Sequence, residues 1–219
     1  MSGVKLAVFD CDGTLSDGQA GVVSAMTRAF ASIGARPPDP RDIRRIVGLS
    51  LPQAVRQLMM ESREIDRQQV VEAYKREFRA SREDGSLREP LFEGMADLLR
   101  HLHSEGWTLG VATGKSDRGL ASTLAANDLA DLFSTLHTAD RHPSKPHPAM
   151  LHAAMEDAMA EHADTVMIGD TTFDIEMAQA AGVRAVGVSW GYHGADELLA
   201  AGAVAVAQNV NELERLIIG

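Results

Sequence analysis

The stretch that decides the fold is "VKLAVFDCDGTL", which runs from Val4 to Leu15. An apolar run broken only by Lys5 ends abruptly in Asp-Cys-Asp, and Gly-Thr follows. A short aliphatic run of this kind is typical of a buried strand. Carboxylates two positions apart repel each other unless a cation, a proton or a phosphate site offsets them. The stretch therefore predicts a strand whose end requires such a partner.

The composition indicates a globular protein, and the net charge argues against one class of partner. The chain has 219 residues, of which 45% are hydrophobic and 24% charged, an ordinary globular balance with enough length for one large or two modest domains. The formal net charge of -10 argues against nucleic acid as the main partner. A small anionic substrate would therefore need a local positive site.

The cysteine count and the hydropathy pattern predict a location. Cys11 is the single cysteine, which excludes an intramolecular disulfide and suits a reducing compartment. The N-terminus enters a strand-like run with no signal-peptide pattern, and no apolar segment is long enough to span a membrane. We therefore expect a cytoplasmic protein without a membrane partner.

Short aliphatic runs alternate with helical patterns along much of the chain. The predicted strands are Lys5–Asp10, Thr108–Thr113, Thr165–Asp170 and Arg184–Val188, with a weaker fifth at Val204–Ala207. Between most of them lie amphipathic segments such as "EGMADLLRHLHSEG", residues 93–106. Strands that alternate with helices pair in parallel through right-handed crossovers, which predicts a doubly wound α/β sheet.

The alternation fails between about Ser16 and Glu89, where the sequence predicts helices only. The predicted helices are Gln19–Ile33, Arg41–Ile46, Leu51–Met60 and Arg67–Ala80. Segments rich in Gly, Pro and polar residues separate and end them. We therefore predict an α/β core of residues 1–15 and 90–219, interrupted by an all-helical insertion of residues 16–89.

Polar side chains follow the ends of three predicted strands. They are Asp10, Asp12, Thr113, Gly114, Lys115, Asp170 and Asp174, and Lys145 lies ahead of the last of these strands. Ligands of an open α/β sheet bind beyond the carboxyl ends of its strands, so these groups should converge. Carboxylate oxygens suit Mg²⁺, and a hydroxyl with an ammonium suits phosphate oxygens. The pattern predicts a site for a divalent metal and a phosphoryl group.

Four motifs resemble, in order, those of the haloacid dehalogenase superfamily. "DCDGT" (10–14) resembles its DxDGT signature, and "ATGK" (112–115) resembles its second strand, which ends in Thr or Ser. "SKPHP" (144–148) resembles its lysine motif, and "GDTTFD" (169–174) its GDxxxD motif. The resemblance covers the whole chain and implies a Rossmann-like core.

The position of the insertion resembles one subgroup of that superfamily. A helical cap directly after the first motif is similar to the caps of phosphoglycolate phosphatase-like and β-phosphoglucomutase-like enzymes. Within this subgroup, "GDTTFDIEMAQAAG" and the later "SWGYH" look most like the phosphoglycolate phosphatase branch.

The resemblance implies a role for each motif residue. Asp10 would be the nucleophile that attacks phosphorus, which splits one difficult displacement into two easier ones. Asp12 would protonate the leaving oxygen and then accept a proton from water. Thr113, Gly114 and Lys145 would bind the transferred phosphoryl group.

The resemblance also implies Mg²⁺ as cofactor. Asp10, the main-chain carbonyl of Asp12, and Asp170 would bind the ion. Asp174 would be a further ligand or would support the ligands, and the alternative is that it caps or braces its loop.

Three other groups have open interpretations. Arg44 and Arg45 in "IRRIVGLSL" are predicted to bind the far end of the substrate, or else to form a solvated basic patch at a helix end. Cys11 is interpreted as a small buried hydrophobe, because neighbouring carboxylates raise a thiol's pKa and its side chain points away from them. The histidines of "HTADRHPSKPHP" are interpreted as part of a solvated loop and not as a zinc site.

The resemblance implies a Mg²⁺-dependent phosphatase that hydrolyses a small phosphorylated metabolite, similar to phosphoglycolate phosphatase. A phosphosugar mutase of the β-phosphoglucomutase type is the first alternative, since its core chemistry would be identical. Haloacid dehalogenation is disfavoured, because the enzymes that displace halide lack an acid at the position of Asp12. A non-enzymatic phosphoacceptor or binding protein is the remaining alternative, although no motif residue is lost.

Overall fold

The computed structural model describes residues 3–219, and these residues contain one six-stranded parallel sheet. Its strands are β1 (Leu6–Phe9), β2 (Thr108–Thr113), β3 (Thr135–Thr138), β4 (Thr165–Gly169), β5 (Arg184–Val188) and β6 (Ala205–Ala207). The spatial order is β3-β2-β1-β4-β5-β6. The chain thus builds one half of the sheet outward from β1, then crosses to β4 and builds the other half. The predicted doubly wound parallel α/β sheet is confirmed.

Ten α-helices lie among the described residues, and the last six of them cover both faces of this sheet. They are α1 (Gln19–Ser32), α2 (Pro40–Arg45), α3 (Leu51–Leu58), α4 (Glu64–Glu83), α5 (Met95–Ser104), α6 (Asp117–Ala126), α7 (Ala149–Ala158), α8 (Thr172–Ala180), α9 (Ala195–Ala200) and α10 (Val210–Ile218). Apolar residues of α5, α6 and α10 share one core cluster with the sheet, and those of α7, α8 and α9 share the other. No helix among the described residues is both long and apolar enough to cross a membrane.

The central strand β1 explains where the acidic residues point. Successive side chains of a strand alternate between its two faces. Ala7, Phe9 and Cys11 belong to one apolar cluster, whereas Leu6 and Val8 belong to the other. Burial on both faces is the pattern of a central strand in a parallel sheet. The backbone N–H of Asp10 still donates to the carbonyl of Ile168 in β4, so Asp10 is held at the strand end.

Helices α1 to α4 form the helical insertion, residues 16–89. Their buried side chains make a separate apolar cluster that includes Met26, Phe30, Ile43, Val55 and Val70. Helix α1 packs along α4. The linkers at the two ends of the insertion lie side by side, because the N–H of Asp17 donates to the carbonyl of Pro90. The division of the chain into a core and a cap domain remains a prediction.

Two details of the sequence prediction were wrong. Strand β3 was not predicted, because its sequence Thr-Leu-His-Thr lacks an aliphatic run, and it lies at an edge of the sheet. Consequently the segment from His137 is not wholly a solvated loop: His137 and Thr138 lie in β3 and are buried. The ends of β1, β4 and β6 and of several helices also differ by one to three residues from the prediction.

Candidate active site

The carboxylates of Asp10, Asp170 and Asp174 form the centre of the candidate site. One oxygen from each lies within 4.8 Å of the others, and all three residues are buried. Asp10 follows β1, and Asp170 follows β4. These parallel strands are hydrogen-bonded neighbours, and the order in which strands are added to the sheet reverses between them. Ligands bind at such a point in open α/β sheets. The structure thus brings together three of the residues predicted to bind a metal.

Lys145 is the cation nearest to this cluster. Its Nζ lies 2.9 Å from Oδ1 of Asp10 and 2.5 Å from Oδ1 of Asp174. Burial alone would lower the pKa of Lys145, but the charges of Asp10 and Asp174 raise it above its ordinary value. Lys145 therefore stays charged, and it contacts two of the three carboxylates.

Burial and neighbouring charges also shift the pKa values of the carboxylates at this centre. Burial raises the pKa of Asp10 to about 6 against the opposing charge of Lys145. Burial, with Asp174 and Asp10 adding to it, raises the pKa of Asp170 well above its usual range. When all three carboxylates are ionised, they carry two negative charges more than Lys145 offsets, and a divalent cation would balance this excess.

Asp170 is held by two hydrogen bonds and by close backbone. The hydroxyl of Thr14 donates to Oδ1 at 2.7 Å, and the N–H of Tyr192 donates to Oδ2 at 2.9 Å. A Cβ atom at Gly13 or at Gly191 would lie 2.2 Å from Oδ2 of Asp170. Only glycine fits at these two positions, and Gly13 also has a φ of +87°. The two glycines let the loops close tightly around this carboxylate.

Asp174 braces its own loop. Its Oδ2 accepts from the N–H of Thr171 at 3.0 Å and from the hydroxyl of the same residue at 2.7 Å, at the start of α8. Its Oδ1 accepts from Lys145. The capping role considered for Asp174 is therefore present, and the same side chain orients Lys145.

The carboxylate of Asp12 contacts a different lysine from that of Asp10. Its Oδ1 is 2.9 Å from Nζ of Lys115, and the same Nζ is 2.5 Å from Oε1 of Glu89. Burial raises the pKa of Asp12, and the charge of Lys115 opposes this shift. Asp10 and Asp12 thus face different lysines, which offsets the repulsion between them.

Thr113 and Gly114 lie at the end of β2. Thr113 is buried, and its hydroxyl oxygen accepts from the N–H of Lys115 at 3.3 Å, which leaves its own proton free to donate. A Cβ at Gly114 would lie 2.6 Å from the carbonyl oxygens of Gly48 and Leu49. The absence of a side chain at Gly114 therefore permits the insertion to approach the core.

A cavity of about 470 Å³ opens between the insertion and the core. The core lines it with Asp10, Asp12, Thr113, Gly114, Lys115 and Arg118, and helix α4 lines it with Tyr74, Lys75, Phe78, Arg79 and Arg82. The remaining wall comes mainly from the segment of residues 46–54. Asp10 and Asp12, the nucleophile and acid predicted from the sequence, thus line the same cavity as the row of cations on α4.

Arg44 and Arg45 do not line this cavity. Both are exposed, and Arg45 forms an ion pair with Glu197 of the core, with Nη1 at 2.6 and 2.8 Å from the two carboxylate oxygens. The carbonyl of Arg45 also contacts Nε2 of His193 at 3.2 Å. In this arrangement Arg45 connects the insertion to the core at a distance from the phosphoryl site.

Cys11 is fully buried, as predicted. Its side chain packs in the apolar cluster on the face of β1 opposite to Asp10. Burial, together with the charges of Asp12 and Asp10, raises the pKa of its thiol, so the nucleophilic thiolate does not form. The interpretation of Cys11 as a buried hydrophobe agrees with this position.

Comparison with known proteins identifies the family. The model of the haloacid dehalogenase-like hydrolase family matches residues 7–188, which include all four motifs. The chain belongs to this family. The family predicted from the motifs is therefore confirmed, and so is the prediction that the chain is an enzyme, a haloacid dehalogenase-like phosphatase.

Other members of the haloacid dehalogenase-like family align over nearly the whole chain. The protein named "Probable phosphatase IndB" from Dickeya dadantii is 36% identical over 95% of this chain and 91% of its own length. A phosphoglycolate phosphatase from Cereibacter sphaeroides is 32% identical over 84% of this chain and 85% of its own length. The crystal structure of a "predicted phosphatase" from Clostridium acetobutylicum is 25% identical, with a TM-score of 0.88 over 99% of both chains.

Sequence reasoning gave no role to Lys115, Glu89 or the cations of α4. Lys115 stands in the quoted "ATGK" motif, and its place at a strand end was the available signal. Glu89 lies at the predicted boundary of the insertion, where a charged residue is unremarkable. Lys75, Arg79 and Arg82 share a helical face at spacings of four and three residues, but nothing local indicates which way that face points.

Proposed function

We propose that this haloacid dehalogenase-like phosphatase hydrolyses the phosphate monoester of a small, anionic metabolite through an aspartyl-phosphate on Asp10, with Mg²⁺ as cofactor. The observation that carries the proposal is the position of Asp10. Its buried carboxylate lies within 4.8 Å of two further carboxylates and 2.9 Å from Lys145, in a cavity that also holds Asp12.

The residues at this centre fit Mg²⁺. Oδ2 of Asp10 is buried without a hydrogen-bond partner among the described residues, so it is available as a ligand. Asp170 faces the same point, and carboxylate oxygens are the ligands that Mg²⁺ prefers. Asp10, Asp170 and the main-chain carbonyl of Asp12 would hold the ion, and Asp174 would support them because its oxygens already bind Lys145 and Thr171. When bound, Mg²⁺ offsets negative charge on the phosphoryl oxygens.

The first half of the reaction transfers the phosphoryl group to the protein. A carboxylate oxygen of Asp10 attacks phosphorus, and the bond between phosphorus and the leaving oxygen breaks. Asp12 donates a proton to that oxygen, so it leaves as an alcohol hydroxyl and not as an alkoxide. Lys145 and the hydroxyl of Thr113 stabilise the transferred oxygens, whose charge and position dominate the barrier of phosphoryl transfer.

The second half regenerates the protein. Asp12, now ionised, takes a proton from a water molecule, whose oxygen attacks the phosphorus of the aspartyl-phosphate. The bond between phosphorus and Asp10 breaks, which releases inorganic phosphate. The insertion, which closes over the cavity, limits stray water at the intermediate.

A screen tests the activity directly. Purified protein is offered phosphorylated metabolites, phosphoglycolate among them, and released phosphate is measured with Mg²⁺ present and after chelation. We expect phosphate release that chelation abolishes and added Mg²⁺ restores. Release that persists undiminished in chelator would contradict the metal requirement. Conversion of β-glucose 1-phosphate to glucose 6-phosphate without phosphate release would favour the mutase instead.

The cavity cations point to a substrate with a second anionic group. Lys75 pairs with Glu72 at 2.8 Å, and Arg82 lies 3.7 Å from Glu89. Arg79 and Arg118 also line the cavity, and within residues 3–219 neither forms an ion pair. One comes from the insertion and the other from the core, so a carboxylate or a second phosphate on the substrate would bind between them.

Replacing Arg79 or Arg118 by alanine tests this recognition. A charge-assisted hydrogen bond contributes about 1.5–3 kcal/mol, so kcat/KM for phosphoglycolate should fall by roughly 10- to 150-fold. Ethyl phosphate, which is similar in size but has an uncharged tail, should lose much less. Arg44→Ala and Arg45→Ala are measured in parallel, because the sequence prediction gave this role to them. If kcat/KM for phosphoglycolate falls selectively in the Arg44 or Arg45 variant and not in the Arg79 or Arg118 variants, the anionic group is recognised by Arg44 or Arg45 instead.

The remaining predictions are compatible with this proposal. A small phosphorylated metabolite agrees with a negatively charged chain that has a local row of cations, and nucleic acid is not expected as a partner. The buried free thiol of Cys11 suits the cytoplasm, which remains the proposed location.

A further inference from the structure

Three charged side chains form a buried cluster beside the phosphoryl site, here called the Asp12 cluster: Asp12, Lys115 and Glu89. Nζ of Lys115 lies 2.9 Å from Oδ1 of Asp12 and 2.5 Å from Oε1 of Glu89. The exposed fractions of the three side chains are 14%, 7% and 8%. The second oxygen of Glu89 accepts from the hydroxyl of Thr123 at 3.2 Å. Lys115 is therefore fixed from two sides, and its position determines that of the carboxylate it contacts.

The members of the Asp12 cluster come from three separate parts of the chain. Asp12 follows β1, Lys115 follows β2, and Glu89 lies in the linker through which the insertion returns to the core. The other linker is also adjacent, since a Cβ at Gly18 would lie 3.1 Å from Oδ1 of Asp12 and 3.6 Å from Oε1 of Glu89. Both linkers of the insertion thus meet at the side chain proposed to transfer protons.

Stability alone is a weak explanation for this cluster. A buried ion pair recovers little more than the cost of removing its charges from water, and apolar residues of similar size often serve as well. Direct phosphate binding is also a weak explanation, because Lys145 already contacts the nucleophile Asp10, whereas Lys115 contacts Asp12 and Glu89. Proton transfer, in contrast, depends steeply on where the donor oxygen lies.

We propose that Lys115 and Glu89 are positioning residues that hold the Asp12 carboxylate in the orientation from which it donates to the leaving oxygen. This inference rests on the proposed phosphatase activity. Lys115 contacts Asp12 directly, and Glu89 acts through Lys115. Because Glu89 belongs to a linker of the insertion, the alignment of Asp12 depends on the placement of the insertion.

The test compares Lys115→Met and Glu89→Gln with wild type on an alkyl phosphate and on p-nitrophenyl phosphate. We expect kcat on the alkyl phosphate to fall about 10- to 100-fold for Lys115→Met, with KM nearly unchanged. In the burst phase on p-nitrophenyl phosphate, which reports the first step alone, the loss should be several-fold smaller, because its leaving group needs little protonation. Glu89→Gln, which keeps the shape of the side chain and perturbs the fold less, should show the same pattern with a smaller loss.

A double-mutant cycle separates positioning from other roles. In an Asp12→Asn background, Lys115→Met should lower kcat by less than about threefold, because the residue it positions is already inactive. Lys5→Met is the matched control, since Lys5 is exposed and lies near Trp107, away from the site. Thermal unfolding of each variant confirms that it is folded.

Three results would overturn the inference. Equal losses in the first step on both esters that add to that of Asp12→Asn would mean that Lys115 acts on the phosphoryl group itself. A rise in KM with kcat unchanged would mean that it binds substrate. Full activity in both variants would mean that the cluster is only structural. Absence of phosphatase activity in wild type would refute the proposed function and this inference with it, whereas any of the three results in an active enzyme refutes the inference alone.

Discussion

Asp10→Asn is expected to reduce phosphatase turnover to background while the protein remains folded. The amide is neither a nucleophile nor a good Mg²⁺ ligand, so the substitution removes the bond-forming group and weakens the metal site together. It also removes one of the two carboxylates that contact Lys145, whereas Asp174 stays in place to hold that lysine. Since the side chain of Asp10 is buried and asparagine has the same shape, packing around β1 should be preserved.

Two measurements check this expectation. Phosphate release by Asp10→Asn is compared with that by wild type and by Asp97→Asn, a matched change at an exposed residue of α5. Wild type quenched in acid during turnover is digested, and the peptide that contains Asp10 is examined for a phosphoryl group by mass spectrometry. Substantial activity in purified Asp10→Asn would contradict the covalent mechanism. A phosphoryl group on another residue would identify that residue as the nucleophile.

Asp12→Asn is expected to lower kcat by roughly 10²–10⁴, the usual contribution of a general acid or base. Asparagine keeps the main-chain carbonyl and a side-chain oxygen that Lys115 can still contact, so the metal site and the Asp12 cluster should persist. What the variant lacks is a transferable proton. The expected loss is therefore specific to the steps in which the leaving oxygen is protonated and water is deprotonated.

Leaving groups separate these two steps. On an alkyl phosphate the full loss should appear, because an alkoxide is a poor leaving group. On p-nitrophenyl phosphate the first step should be nearly normal, and the aspartyl-phosphate should accumulate, because its hydrolysis still lacks the base. A burst of p-nitrophenol followed by slow turnover is the expected signature. Equal loss on both esters without a burst would argue against the role of Asp12 as the acid.

The local sequence was sufficient for the elements whose signal lies within a few residues. The aliphatic runs that become β1, β2, β4 and β5 are buried on both faces, so they carry no polar alternation and are recognisable alone. Asp10, Thr113 and Asp170 directly follow such runs, and parallel strands bring their ends to one edge. The convergence of these residues follows from the strand ends once the sheet is parallel.

Strand β3 shows where local signal fails. Its sequence carries two threonines and a histidine in four residues, which propensity does not distinguish from a loop. The edge of the sheet nevertheless accepts it, because backbone pairing with β2 and burial of Thr135 and His137 do not require an aliphatic run. Tertiary packing overrides propensity here.

The tertiary structure alone decided which charges meet. The sequence left Arg45 either as a substrate contact or as part of a solvated basic patch, and in the structure its guanidinium pairs with Glu197, a residue 152 positions away. Lys115 and Lys145 both belong to motifs in the sequence, yet one contacts Asp12 and the other Asp10 and Asp174. A strand end or a helix face is a property of neighbouring residues, so the sequence by itself determined the parallel sheet apart from β3, the helical pattern of residues 16–89 and the acidic residues at the strand ends. An ion pair depends on the distance between side chains from different elements, and that distance is set only once those elements have packed together.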